Sequence, residues 1–515
     1  MKQVVWRPML AAIAAMVVCA GVVSVAHAET ATTPAPTAAA PATGDKAVKH
    51  VTAPTSAEYA YAESVEGQSD FEKWCQCIKQ PCSWFCWGAD LQVRNVYQNN
   101  NTTLNSNQTV VINGQQERAN ETEYTRFRAR VWGTFALSED VEFNARFLWE
   151  AFNFYEPEFQ EHVTNSQGEF DSLNFKFKNL LDTQSTLTVG RQDIFIGDGW
   201  LVAEGTPFDG SLTGFFDAVR YQWELANINT TADLIYIHNE ANPNAWLHPI
   251  NEPDPPFWNA EQDESGAVAY FTNKSVENTD ISPYFMYKKA ESQPQIHGTY
   301  QGELYTPGLR VAQKVDENWR WRAEAAYQFG YSDKATPGKD QTVSAWGANS
   351  AVQYFLNDPM NNNFRLQYEY LSGDEPDSGK YEGFDILWGR WARWTDLYAY
   401  TFAFEQNGRI ADYTNLHRIG PGWGISPCDK VTIDTDYYLL FADQSANVSA
   451  PGTNPQAFSS NGFFRGQLIE SVLAYKLNKH ISGHLKGELF FPGNYYSDNN
   501  NDIATFLRAE VVLTF

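Results

Sequence analysis

Arg126, Arg128 and Arg130 occupy every second position of one stretch of chain. In a β-strand that spacing places all three guanidinium groups on one face, about 7 Å from one to the next. A row of fixed cations along a wall holds or conducts anions, as rings of Arg and Lys do in pores. Neighbouring stretches add Arg146 and, again at alternate positions, Lys176 and Lys178, while Arg191, Arg220 and Arg322 are further candidates. A blander role is open to each of them: inward charges also keep a water-filled interior wetted, or pair with carboxylates to stiffen the wall.

The elements that would position these residues are strands. From Trp87 onward, period-two alternation is broken by Asn, Asp, Gly and Pro clusters, which reads as strands separated by turns. Strands are predicted at 87–97, 122–137, 141–150, 173–178, 186–192, 216–223, 231–238, 284–288, 299–305, 319–329, 345–355, 364–371, 397–404, 431–441, 467–477, 481–491 and 505–515. A weak one near 415–420 makes about 18, an even number as in bacterial barrels. The 429 residues from Trp87 to the end (515 − 86) allow about 24 per strand, enough for one membrane crossing of roughly 10 residues and a connection. In the strand holding the arginine row, Phe127, Ala129, Val131 and Phe135 take the lipid face, so the arginines face the lumen. The same parity sends Glu142, Asn144, Arg146 and Glu150 inward, then Lys176 and Lys178. Elsewhere it sends Arg220, Arg320, Arg322, Arg365, Lys486 and Arg508 inward, with Glu224, Glu324, Glu369, Asp434, Asp436, Glu488 and Glu510. The expected fold is all-β: a transmembrane antiparallel β-barrel of about 18 strands, with a disordered periplasmic N-terminal tether.

The ends agree. Lys2 and Arg7 precede an apolar run from Met9 to Ala26 that closes in Ala26-His27-Ala28, the pattern of a signal peptide (1–28) cut after Ala28. Cys19 follows Val18, not a small residue, which argues against lipid attachment there. Residues 29–67 are rich in Ala, Pro and Thr and cannot bury a core. Residues 68–86 hold Cys75, Cys77, Cys82 and Cys86 at C-x-C-x4-C-x3-C spacing. That spacing fits no standard zinc pattern, and an oxidising periplasm favours disulfides in a small cross-linked cap, with Cys428 unpaired or joined to it. The barrel is assigned to 87–515. Its last strand alternates Leu507, Ala509, Val511, Leu513 and the terminal Phe515 against Arg508, Glu510 and Thr514. That pattern looks like the mark read by the outer-membrane assembly machinery, and it places the chain in the outer membrane of a Gram-negative-type envelope, in contact with its lipid.

Aromatic residues make up 15% and charged residues 19%, with mean hydropathy −0.45. Such a chain suits strands that are apolar only at every second residue. The net charge of −25 argues against nucleic acid, which needs a basic surface. No cofactor or nucleotide motif is visible, so none is expected, and passage through the barrel should be passive. A lipase-type barrel enzyme is the rival class. His484 is inward by parity and His238 lies at a strand end, but neither pairs with a serine in a way that makes a catalytic set.

Several segments resemble the alginate-export family of outer-membrane proteins. Leu187-Thr188-Val189-Gly190-Arg191-Gln192 runs through Ile196-Gly197-Asp198-Gly199-Trp200 to Phe215-Phe216-Asp217-Ala218-Val219-Arg220. Shorter matches are Ala326-Tyr327-Gln328-Phe329-Gly330, then Leu366-Gln367-Tyr368-Glu369-Tyr370-Leu371-Ser372-Gly373-Asp374, and Phe491-Pro492-Gly493-Asn494-Tyr495-Tyr496. The resemblance implies a monomeric 18-stranded barrel with a constricted, electropositive conduit for an anionic uronate polysaccharide; from the charged wall itself, a small anionic solute is the other expected partner. Arg191 and Arg220 carry over by motif; the 126–130 row rests on parity. Arg191 also has a structural reading, an ion pair with Asp193 or Asp198. The alternative to an anion-favouring porin is a general porin of low selectivity.

Overall fold

A computed structural model describes residues 70–112, 115–118, 120–156, 163–180, 183–204, 215–242, 246–250, 262–292, 299–375, 377–389, 392–405, 413–446, 458–459 and 462–515. The expected signal peptide (1–28), the expected tether (29–67) and residues 251–261 lie outside the described residues.

Eighteen antiparallel strands close on themselves in sequence order. They are β1 (Phe85–Asn99), β2 (Glu121–Ala136), β3 (Val141–Glu156), β4 (Val163–Lys178), β5 (Ser185–Gln192), β6 (Phe216–Leu225), β7 (Thr230–Asn239), β8 (Asp263–Asn273) and β9 (Thr279–Glu291). The other half comprises β10 (Gly302–Lys314), β11 (Trp319–Ser332), β12 (Gln341–Phe355), β13 (Asn363–Leu371), β14 (Leu416–Cys428), β15 (Val431–Phe441), β16 (Phe464–Lys476), β17 (Ile481–Pro492) and β18 (Ala504–Thr514). Closure is made by β18 on β1, with Arg94 opposite Glu510 and Leu91 opposite Leu513. Closing the sheet leaves no unpaired strand edge, the condition for a sheet to cross a bilayer.

The connections at one end are short, such as 137–140, 315–318, 429–430 and 477–480, and those at the other are long. Short turns mark the periplasmic end. Among the described residues no helix is long and apolar enough to cross a membrane; the strands do so.

Two corrections offset each other in the strand count. Residues 397–404, read as a strand from their alternating aromatics, form a helix, Leu397–Glu405. The strand Asp263–Asn273 went unread because its acidic start continues the polar sequence before it. The cysteines differ as well: Cys75, Cys77, Cys82, Cys86 and Cys428 are all free thiols. Cys75 and Cys77 sit on a short helix, α1 (Asp70–Lys79), where a two-residue spacing points them to different sides. Cys75 is accordingly buried and Cys77 exposed.

Candidate functional site

The lumen has two unlike sides. On β1, β2 and β3 the inward residues are polar or charged and buried: Asp90, Gln92, Arg94, Arg126, Arg128, Arg130, Arg146 and Glu150. Parity thus assigned this wall its facing, since Leu91, Val131 and Trp149 on the opposite face are exposed. On β7 to β12 many inward residues are apolar, including Ile235, Ile237, Val268, Met286, Leu304, Val343 and Ala345, and they belong to one continuous core.

That core exists because two extracellular loops fold into the barrel. The first carries Trp200 and Leu201; the second carries Phe384, Leu387 and Trp388 and then helix α2 (Leu397–Glu405) with Tyr398 and Phe402. The loops are joined by backbone hydrogen bonds, Trp388 N–H to Leu201 O at 2.9 Å and Ala203 N–H to Trp388 O at 3.1 Å. Glycines in the wall let them approach: a Cβ on Gly266 would collide with the Trp388 ring, and one on Gly347 would meet Phe384 at 2.6 Å.

Polar anchors complete the insertion. The indole of Trp200 donates to Glu369 Oε1 at 3.0 Å, and Arg418 Nε donates to the other oxygen of Glu369 at 3.2 Å. Lys288 Nζ donates to Leu387 O at 2.8 Å, and Tyr300 donates through its hydroxyl to Asp385 at 2.6 Å. At the N-terminus of α2, the backbone N–H groups of Asp396 and Leu397 donate to Glu488 at 2.8 and 3.2 Å, while Thr395 Oγ1 accepts from Tyr398 N–H at 3.0 Å. A capping hydroxyl and a carboxylate at that end both satisfy orphan donors and complement the helix dipole. Asp396 also meets Lys486 at 2.7 Å and Arg508 at 3.0 Å. Arg465 ties the other end of α2 to the wall through Glu405 at 2.6 Å.

The first loop is latched by Asp198, which accepts from Arg310 Nε at 2.7 Å and lies 3.5 Å from Arg322. Its backbone carbonyl accepts from Arg393 Nη1 at 2.8 Å, so one turn is bound to the wall and to the second loop. Burial would raise the Asp198 carboxyl, but Arg322 and Arg310 beside it hold it below the ordinary 3.8. Burial likewise opposes ionisation of Asp385, and Lys288 and Lys334 outweigh it.

Most of the predicted site residues have counterions. Arg126 pairs with Glu150, Arg130 with Asp90, and Lys178 with Glu142. Arg146 pairs with Asp171 at 2.7 Å and Asp193 at 2.9 Å, and Arg220 with Asp233 at 2.7 Å. Arg322 reaches Asn349 and Asp198. Arg191 is ion-paired, but with Asp217 at 2.9 Å and not with Asp193 or Asp198. Its guanidinium lies 3.7 Å from the centre of the Phe215 ring, at the extracellular end of β5, and it is set apart from the 126–130 row. Asp193 and Asp198 are instead taken by Arg146 and Arg310.

Arg128 differs from its neighbours. It is 3% exposed, its Nε has no hydrogen-bond partner, and among the described residues no carboxylate forms an ion pair with it. The residue opposite it on β3, Glu150, gives one oxygen to Arg126 and leaves the other unpartnered. Lys176, half-buried and inward by parity, also lacks an ion pair among the described residues. Sequence reasoning did not single out Arg94, Lys288, Arg310 or Arg393, and offered Asp198 only as a possible partner of Arg191. The Gly-Asp-Gly-Trp turn at 197–200 was visible, yet nothing local shows that it dips inward.

A closed 18-stranded barrel with a charged wall and loops narrowing its lumen is an outer-membrane channel. The alginate export family model matches residues 86–510, and the chain belongs to that family of outer-membrane proteins. It is similar to solved structures from Pseudomonas aeruginosa. One is OprD, 12% identical over 83% of this chain and 95% of that one, with a TM-score of 0.47. Another is OpdQ, 12% identical over 83% and 98%, with a TM-score of 0.48. A third is OccK2 (OpdF) in complex with glucuronate, 14% identical over 83% and 98%, with a TM-score of 0.46. No curated protein matches this sequence.

Proposed function

We propose that the channel gives passive passage to hydrophilic anions, and that an anionic uronate polysaccharide of the kind named by its family is the first solute to test. One observation carries this reading: Arg128 sits in the lumen wall, between Arg126 and Arg130, with no ion-pair partner of its own among the described residues. A buried charge lacking a partner costs several kcal/mol, so stability alone gives no reason to keep one there. An ionisable residue held at such cost inside a membrane protein marks a solute path. Arg94, Arg126 and Arg130 are screened by their partners, which leaves Arg128, with Lys176 further along the wall, to offer charge to a passing carboxylate.

The test is single-channel current with uronate oligomers added to one side. Concentration-dependent block that weakens several-fold in Arg128→Gln supports the reading. Absence of block in the parent protein leaves a general porin of low selectivity. The barrel-enzyme reading finds no support at its candidate histidines. His484 accepts from Arg508 at 2.9 Å, and His238 lies 3.2 Å from Glu240.

A further inference from the structure

Helix α1 (Asp70–Lys79) has no part in the conduit, and its contacts define where it lies. Trp87 donates through its indole to Ile78 O at 2.8 Å. The Lys79 ammonium stands 5.1 Å from the centre of the Phe515 ring, and Glu72 pairs with Lys479 of the 477–480 turn at 3.1 Å. Trp87 shares parity with Leu91 and Val93, and Phe515 with Leu513 and Val511, so both rings belong to the outer face of the barrel; their centres are 5.3 Å apart. The helix therefore packs on the lipid side of the wall at its periplasmic end, across the seam where β18 closes on β1.

Its neighbours there form an aromatic girdle. Phe85 and Phe135 lie 4.6 Å apart, Phe135 and Phe143 6.1 Å, and Phe143 and Phe175 5.0 Å, with Trp84 against Phe135 at 6.3 Å. Such girdles sit where hydrocarbon meets headgroups. On α1 itself, Glu72 and Cys75 turn toward the barrel, Cys75 being 3% exposed. The opposite side presents Lys73, Cys77 and Trp74, which is 54% exposed.

We propose that α1 is an interfacial anchor lying in the periplasmic leaflet of the outer membrane, with Trp74 in the boundary between headgroups and acyl chains and Lys73 toward the phosphates. The occupant of its exposed face is the phospholipid surface, because that face continues a girdle already in the bilayer. The mouth of the channel lies on the inner side of the wall, away from the helix. Trp is suited to this depth by its apolar body and polar N–H, and interfacial helices typically enter roughly 5–10 Å into that boundary. The inference rests on the barrel's place in the membrane and is independent of which solute passes.

The experiment uses the full chain with all other cysteines changed to Ser, reconstituted into vesicles of phosphatidylethanolamine and phosphatidylglycerol. A nitroxide is placed at Trp74→Cys, at native Cys77, or, as an aqueous reference at the same end, at Glu139→Cys. Collision with oxygen is compared with collision with a water-soluble nickel chelate. The oxygen-to-nickel ratio is expected to be several-fold higher at positions 74 and 77 than at 139. A ratio at 74 equal to that at 139 overturns the proposal. If Trp74→Cys loses the heat-dependent gel shift of a folded barrel, the Cys77 label decides with Trp74 intact: above the reference supports the anchor, equal to it refutes it.

Discussion

Arg94 on β1 and Arg126 on β2 stand directly opposite each other across the strand pair, and each is neutralised from a different third strand. Glu510 of β18 serves Arg94 and Glu150 of β3 serves Arg126. Two facing arginines would repel, so the closing strand and the third strand hold the wall together electrostatically as well as through backbone hydrogen bonds.

Glu150→Gln removes the counterion that Arg126 has among the described residues and adds to the charge left uncompensated there at Arg128. Losing one member of a buried pair costs about 3–5 kcal/mol, so the variant should unfold at clearly lower denaturant or temperature. The double variant Arg126→Gln/Glu150→Gln should recover most of that loss. A double variant no more stable than Glu150→Gln alone would deny the pairing.

Arg128→Gln should behave in the opposite way. With no ion pair to break among the described residues, stability in urea titration should not fall, while the reversal potential in a salt gradient should move toward zero. A marked loss of stability would show that Arg128 has a structural counterion.

Acid should loosen the first loop. The folded-state value of Asp198 lies below 3.8, so its contribution is fully present above that value and is lost as pH falls through the lowered folded value. Conductance should stay level from neutral pH down to about 3.8 and then rise or grow noisy. Asp198→Asn should show the acid behaviour at neutral pH. An Asp198→Asn channel indistinguishable from the parent would remove the latch.

Gly347→Leu puts a side chain where the Phe384 ring now lies, 2.6 Å from the point a Cβ would occupy. Overfilling a packed site usually costs about 1–3 kcal/mol, and here the inserted loop is the part able to move. Larger single-channel conductance in a folded barrel is the expected outcome; unchanged conductance would mean that the loop does not narrow the path.

Much of this was legible in the sequence, and the reason differs by level. Facing follows from a period of two, so the inward position of Arg126, Arg128 and Arg130 could be read one strand at a time. Pairing could not, because Arg94 meets a carboxylate 416 residues away and Arg191 chooses Asp217 over nearer acids. Helix α2 imitated a strand because Leu397, Ala399, Thr401 and Ala403 alternate with Tyr398, Tyr400, Phe402 and Phe404. Its burial inside a barrel removes the one-sided polarity that usually marks a helix. That Arg128 has no ion pair among the described residues depends on every neighbour at once, which no local pattern contains.

The most direct measurement is the reversal potential of the parent channel in a planar bilayer under a potassium chloride gradient. Preference for chloride, reduced in Arg128→Gln and reversed in Arg128→Glu, is the predicted result. Preference for potassium in the parent, or a chloride preference that both substitutions leave unchanged, would contradict an anion path along the Arg128 wall.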